Sequence, residues 1–131
     1  MSKIATCIIV FIFLGPPIAF LAALHDSDMG VKILIGLPLA YIFSPAAAFA
    51  GMLHGTACWL IIKFLPFRRI DPIAGAVIGM ICGYLAVQAA GVLLNQSMTN
   101  PRSDFYRLVT GGILAGGLCS LLIHIKWPYQ K

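Results

Sequence analysis

The chain has 131 residues, of which 60% are hydrophobic and only 10% are charged, and its formal net charge is +5. A soluble globular domain carries about 25% charged residues, so this chain has too few charges to cover a surface in contact with water. The composition excludes an ordinary soluble domain and predicts an integral membrane protein whose first partner is the lipid bilayer. The basic residues are scattered over loops and termini, which argues against nucleic-acid binding.

Four apolar runs are long enough to be transmembrane helices, since a helix needs about 20 residues to cross the hydrocarbon core. The predicted fold class is therefore all-α: an integral membrane four-helix bundle forming a single transmembrane domain over 1–131. The first run resembles a signal peptide, but it continues past Pro16 and Pro17, so we expect an uncleaved helix. The expected spans cover 4–24, 45–65, 72–94 and 106–125.

The second apolar run is too long for one straight crossing. As a single helix, 32–65 would extend on the order of 50 Å, against about 30 Å of hydrocarbon. Ser44 followed by Pro45 resembles an N-cap with a first-turn proline, so we predict a helix break there. A short extra helix over 31–43, either interfacial or re-entrant, then precedes the second span. The alternative is one long, tilted helix with kinks at its prolines.

Small residues recur every fourth position in all four predicted helices. The clearest case is the third helix, where glycines recur in "GAVIGMICG". Small residues at this spacing let two helix backbones approach closely in a bilayer, where helices gain little hydrophobic energy by meeting. The alternative is a general enrichment of glycine without a specific interface. The predicted packing residues are Gly51, Gly55, Gly75, Gly79, Gly83, Gly112, Gly116 and Ser120.

Few polar groups fall inside the predicted spans. His54 is expected about midway along the second helix, and Tyr84 and Gln88 lie one turn apart in the third. Ionisable groups within a membrane are costly and therefore suggest function. For His54, a proton relay or ligand contact competes with a packed, hydrogen-bonded histidine; for Gln88, interhelical hydrogen bonding is favoured over pore lining.

Each predicted span carries one cysteine, at positions 7, 58, 82 and 119, and the sequence contains no CxxC motif. His54 and Cys58 lie one helical turn apart and are able to share a soft metal, but two ligands do not make a site. Buried cysteine usually behaves as a small apolar residue. The sequence therefore predicts no metal site, no cofactor and no catalytic residue. His124 is expected at the inner interface.

Basic residues predict the orientation, because they are retained on the cytoplasmic side. With four spans, both termini and the middle loop share one side. That side carries Lys3, Lys63, Arg68, Arg69, Lys126 and Lys131, and the other carries Lys32, Arg102 and Arg107. We therefore expect a multi-pass protein of the cell membrane, of the bacterial inner-membrane type, with both termini in the cytoplasm.

The absence of a carboxylate from the middle of any span weakens the case for a proton-coupled exporter. The favoured function is an accessory, regulatory or immunity-type membrane protein, not an enzyme, that acts through helix contacts with itself or another membrane protein. The alternative is a small transporter or channel subunit that oligomerises to form a pathway.

Overall fold

The computed structural model describes residues 2–23, 36, 38, 40–94 and 102–129, with the backbone alone for 23, 43, 93–94 and 102–108. This part of the chain forms four α-helices: α1 (Lys3–Ala23), α2 (Ser44–Phe64), α3 (Pro72–Leu94) and α4 (Arg102–Lys126). Each helix contains a stretch long and apolar enough to cross a membrane. The prediction of an all-α chain with four such helices is confirmed, and it is consistent with a multi-pass membrane protein.

The start of α2 is preceded by a short 3-10 helix over Tyr41–Phe43. Both the backbone N–H and the hydroxyl of Ser44 donate to the Tyr41 carbonyl, the hydroxyl at 2.5 Å. This contact ties Ser44 to the preceding turn, whereas an N-cap side chain accepts a hydrogen bond from the turn that follows. Pro45 occupies the first turn of α2. The extra helix expected over 31–43 lies largely outside the described residues, so a separate helix is not established.

The four helices are arranged in a square that follows their order in the chain. α1 packs against α2 and α4, and α3 packs against the same two helices. α2 and α4 therefore face each other across one diagonal of the bundle. Any side chains that meet between them come from residues far apart in sequence.

The bundle places small and polar residues inside and large apolar residues outside. His54 and Ser120 are fully buried, whereas Ile73 and Val92 are more than 70% exposed. This distribution suits a lipid environment, because lipid tails receive apolar side chains while polar groups must find partners within the protein. The buried hydrophobic core consists of Cys7, Phe11, Ala50, Cys58, Ile70, Ala86, Cys119, Ile123 and Tyr129.

Candidate functional site

Three potential metal ligands meet inside the bundle: His54, Cys58 and His124. His54 and Cys58 lie one turn apart on α2, and His124 comes from the last turn of α4. One donor atom from each residue can be chosen so that all three lie within 4.8 Å of one another. All three side chains are buried. We call this group the His–Cys cluster.

Glycine at position 75 of α3 leaves space for the His–Cys cluster. A Cβ atom added to Gly75 would lie within 3.0 Å of the His124 ring, closer than real Cβ contacts allow. The imidazole therefore occupies the volume that any larger residue at position 75 would fill. Gly75, the first glycine of "GAVIGMICG", therefore leaves the space that the His124 ring occupies.

Ser120 joins the cluster to the backbone of α3. Its hydroxyl donates a hydrogen bond to the Gly75 carbonyl, and its oxygen lies 3.1 Å from His54 Nε2. Because a serine hydroxyl has one proton and gives it to the carbonyl, His54 Nε2–H is the donor in the second bond. The neutral His54 ring then leaves Nδ1 without a proton. This nitrogen lies 4.0 Å from Cys58 Sγ.

The remaining distances bring Cys58 between the two imidazoles. Its sulfur lies 3.6 Å from His54 Nε2 and 3.7 Å from His124 Nε2. The Nδ1 atom of His124 is buried and has no hydrogen-bond partner. Buried polar atoms are nearly always satisfied, so an unpartnered imidazole nitrogen calls for an explanation.

Aromatic rings continue the cluster on both sides. Phe11 stacks on His54 with the ring centroids 5.7 Å apart, and the two histidine rings meet edge-on at 5.5 Å. Tyr129 lies 5.7 Å from His124. The cluster is therefore held between an apolar ring from α1 and an aromatic residue from the end of the chain.

Residues 127–129, which follow α4, cover the His–Cys cluster. The Ile70 N–H donates to the Tyr129 carbonyl at 3.1 Å, and Lys3 Nζ donates to the Pro128 carbonyl at 3.1 Å. The Tyr129 hydroxyl lies 3.3 Å from Cys7 Sγ. Burial, followed by the hydrogen bond with Cys7, raises the pKa of the Tyr129 phenol above its ordinary value. The phenol is therefore neutral.

The cluster lies at one end of the bundle. Gly55, next to His54, faces Ile4 in the first turn of α1, and Gly75 and His124 lie in the first turn of α3 and the last turn of α4. His54 is central in its own helix, as expected from the sequence, yet it is level with the ends of the other three. The reason is that α2 continues past them toward Phe64.

The predicted packing glycines lie at helix contacts within the chain. A Cβ at Gly51 would approach the backbone of Cys7 and Ile8, and one at Gly55 would approach the backbone of Ile4. Besides Gly75, four glycines lie along the α3–α4 contact where an added Cβ would be under 3.0 Å from the facing helix, and at three of them it would meet backbone. These four are Gly79, Gly83, Gly112 and Gly116, of which Gly112 would meet the Val87 side chain.

The other two intramembrane candidates do not join the His–Cys cluster. Tyr84 is 41% exposed on the outer surface, and Gln88, one turn further along α3, is partly buried. Both lie beyond Gly83, which packs against Gly112 toward the opposite end of the bundle. They are therefore separated from His54 along the axis of the bundle.

Sequence reasoning did not place His124 beside His54, Tyr129 beside His124, or Cys7 beside Tyr129. His124 was expected at the inner interface, without a contact to His54; the structure buries it in the last turn of α4, beside His54 and Gly75. The only indication in the sequence was that His124 lies near the end of the fourth predicted helix, on the same predicted side of the membrane as the first turn of α3. A contact across 66 residues of chain, such as that between Cys58 and His124, has no local periodicity to reveal it.

The donor set of the cluster suits a small soft metal ion. One thiol and two imidazoles are the ligands that soft and borderline transition metals prefer. A bis-histidine haem does not fit, because Cys58 Sγ lies within 3.7 Å of a nitrogen in each ring and leaves no gap for a macrocycle.

Comparison of the chain with protein-family models, with curated proteins and with solved structures finds no match. The fold and the cluster thus define the protein only as an all-helical chain with four potential membrane spans and a buried group of histidine and cysteine side chains.

Proposed function

We propose that this chain is a non-enzymatic accessory or regulatory membrane protein, of the immunity type in the broad sense, that acts by contact with another membrane protein. The observation that carries this proposal is the closed interior. Gly79 faces Gly116 and Gly83 faces Gly112 with no space for a methyl group, and Gly51 meets the backbone of α1 in the same way. A chain with such contacts offers no room for a substrate to pass between these helices.

The outer face of α3 is the surface we propose for the partner. Ile73, Val77, Ile81 and Leu85 recur every fourth residue and are between 48% and 77% exposed. They form one continuous aliphatic stripe. Gly75, Gly79 and Gly83 of α3 face α4, so a partner would meet the aliphatic stripe rather than these small residues.

We further propose that the protein lies in the bacterial inner membrane with both termini in the cytoplasm. The end of the bundle where Lys3 meets Pro128 also includes the loop between α2 and α3. Its exposed basic side chains outnumber the single described acid there, Asp71, which lies 3.5 Å from Arg69. Basic residues are retained on the cytoplasmic side. The exposed basic residues at this end are Lys3, Lys63, Arg68, Arg69 and Lys126.

Site-specific photocrosslinking in native membranes tests the proposed contact. A photoreactive residue at Val77 or Ile81, on the α3 stripe, is expected to capture a second, different membrane protein that mass spectrometry identifies. The matched control is Phe13 on α1, which is 62% exposed and on the diagonally opposite helix. Capture of the same proteins from both positions would contradict a specific partner face. Capture of only a second copy of this chain would favour the oligomeric transporter or channel subunit instead.

Reporter fusions test the orientation independently. Fusions after Arg69 and Lys131 are expected to report the cytoplasm, and a fusion after Asn100 the other side. The opposite pattern at Arg69 and Asn100 would overturn the assignment.

A further inference from the structure

We propose that the His–Cys cluster is a binding site for a soft monovalent metal ion, Cu(I), with His54, Cys58 and His124 as its ligands. This inference is independent of the proposed partner contact. It depends on the geometry of the cluster and on the balance of charge in a buried site.

The distances between donor atoms agree with a three-coordinate site. Taking metal–sulfur and metal–nitrogen bonds of about 2.3 and 2.0 Å, as in zinc sites, tetrahedral or trigonal geometry places sulfur and nitrogen about 3.5–3.7 Å apart. Cys58 Sγ lies 4.0 Å from His54 Nδ1 and 3.7 Å from His124 Nε2. One donor atom from each of the three residues can be chosen within 4.8 Å of the other two, so a closing movement of the side chains would bring the donors into bonding position.

The surrounding hydrogen bonds prepare His54 as a ligand. Metal-binding histidines usually donate their second ring N–H to a fixed acceptor, which selects the tautomer. Here His54 Nε2–H donates to Ser120 Oγ, and Ser120 is itself anchored to the Gly75 carbonyl. The arrangement leaves Nδ1 without a proton, 4.0 Å from Cys58 Sγ.

The charge of the cluster favours a monovalent ion. Asp71, the acid whose side chain the structure describes, is 73% exposed and pairs with Arg69. When the Cys58 thiol binds the metal, it releases its proton to solvent and becomes a thiolate. One thiolate and Cu(I) give a neutral site, whereas Zn(II) leaves a net positive charge that is costly to bury. Cys7 is not counted as a second thiolate, because its sulfur shares a hydrogen bond with the Tyr129 hydroxyl. The metal keeps its oxidation state throughout.

Competitive titration tests the site. The full chain, purified in detergent and kept reduced without oxygen, is titrated against the coloured Cu(I) complex of bicinchoninate. We expect the protein to remove one Cu(I) per chain from this competitor. X-ray absorption of the loaded protein is expected to show one sulfur and two imidazole nitrogens around the metal.

Variants assign the ligands. Loss of a hydrogen-bond partner of a metal ligand typically lowers metal affinity about 10–100-fold. Cys58→Ser and His124→Gln remove a ligand itself, so each is expected to lower the affinity for Cu(I) by more than this. Ser120→Ala is expected to lose about tenfold and to keep the 1:1 stoichiometry. Cys119→Ser is the matched control, because it makes the same chemical change at another fully buried position of the core. It is expected to bind as the wild type does.

Several results would overturn the proposal. They are failure of the wild-type chain to take up Cu(I), unchanged binding by Cys58→Ser, and a metal environment without imidazole. Retention of one Zn(II) per chain in place of Cu(I) would overturn the argument from charge. Gel filtration shows whether each variant is folded. If the ligand variants do not fold, the wild-type titration and absorption spectrum still decide the outcome.

Discussion

The α3–α4 glycine contact and the His–Cys cluster are neighbouring parts of one bundle that tolerate change to different degrees. At Gly79 and Gly83, an added Cβ would meet backbone atoms of Gly116 and Gly112. At Gly75, it would meet the His124 ring instead. A backbone moves only with its whole helix, whereas an imidazole can rotate. The glycine stripe of α3 therefore contains two kinds of position, and only Gly79 and Gly83 fix the distance between the two helices.

The largest effect is expected for Gly79→Leu. Leucine favours a helix over glycine by about 1 kcal/mol, but overpacking typically costs about 1–3 kcal/mol. Because the obstacle here is backbone, we expect the overpacking cost to exceed that range, at about 4 kcal/mol. The net loss in the free energy of unfolding, measured in detergent micelles, is then about 3 kcal/mol. Val77→Leu, on the exposed side of the same helix, is the control and should change stability by less than about 0.5 kcal/mol. Equal stability of the two variants would show that α3 and α4 do not meet at Gly79.

The His54 side chain is expected to contribute less. His54→Leu removes the hydrogen bond to Ser120, and interhelical hydrogen bonds in membranes are worth about 0.6 kcal/mol on average, so we expect a loss of about 1 kcal/mol. His54→Gln keeps a donor and should be nearly as stable as the wild type. Unfolding in detergent measures both. A loss of several kcal/mol in the glutamine variant would show that the ring is needed for packing, not only for its hydrogen bond.

Gly75→Ala sharpens the distinction between the two kinds of glycine. The helix gains about 1 kcal/mol from alanine, which offsets the cost of moving the His124 ring, so stability should change by less than about 1 kcal/mol. Gly83→Ala makes the identical change where the obstacle is backbone, and it should lose about 2 kcal/mol. Comparison of their thermal unfolding tests this difference. A greater loss from Gly75→Ala would reverse our assignment of the two positions.

The smallest effect on stability is expected at Tyr129, which covers the His–Cys cluster. Tyr129→Phe keeps the buried ring and removes only the contact between its hydroxyl and Cys7 Sγ. A single hydrogen bond contributes about 0.5–1.5 kcal/mol, and thiols are weak partners, so we expect about 0.5 kcal/mol. The control is Tyr84→Phe on the exposed side of α3. If Tyr84→Phe destabilises the protein as much, the Tyr129 contact has no special role.

The sequence alone predicted an all-helical chain and the four helices, long and apolar enough to cross a membrane, that the described residues form. Long apolar runs with almost no charge have one stable arrangement in a bilayer, since a helix satisfies its own backbone hydrogen bonds. The recurrence of small residues every fourth position also predicted helix contacts, because both signals are local and repeat within one helix. Only the pairing of these faces, such as Gly79 with Gly116, required the structure.

The tertiary structure decided how the cluster is completed. His54 and Cys58 share a helix face and were recognised as a pair, but His124 reaches them from the diagonal helix through the recess at Gly75. This contact depends on the order of the helices around the square and on their relative positions along the bundle axis. It also depends on the absence of a side chain at Gly75 of α3. None of these is encoded in the spacing of residues along one helix. A site assembled from the ends of several helices emerges only when the whole bundle is packed.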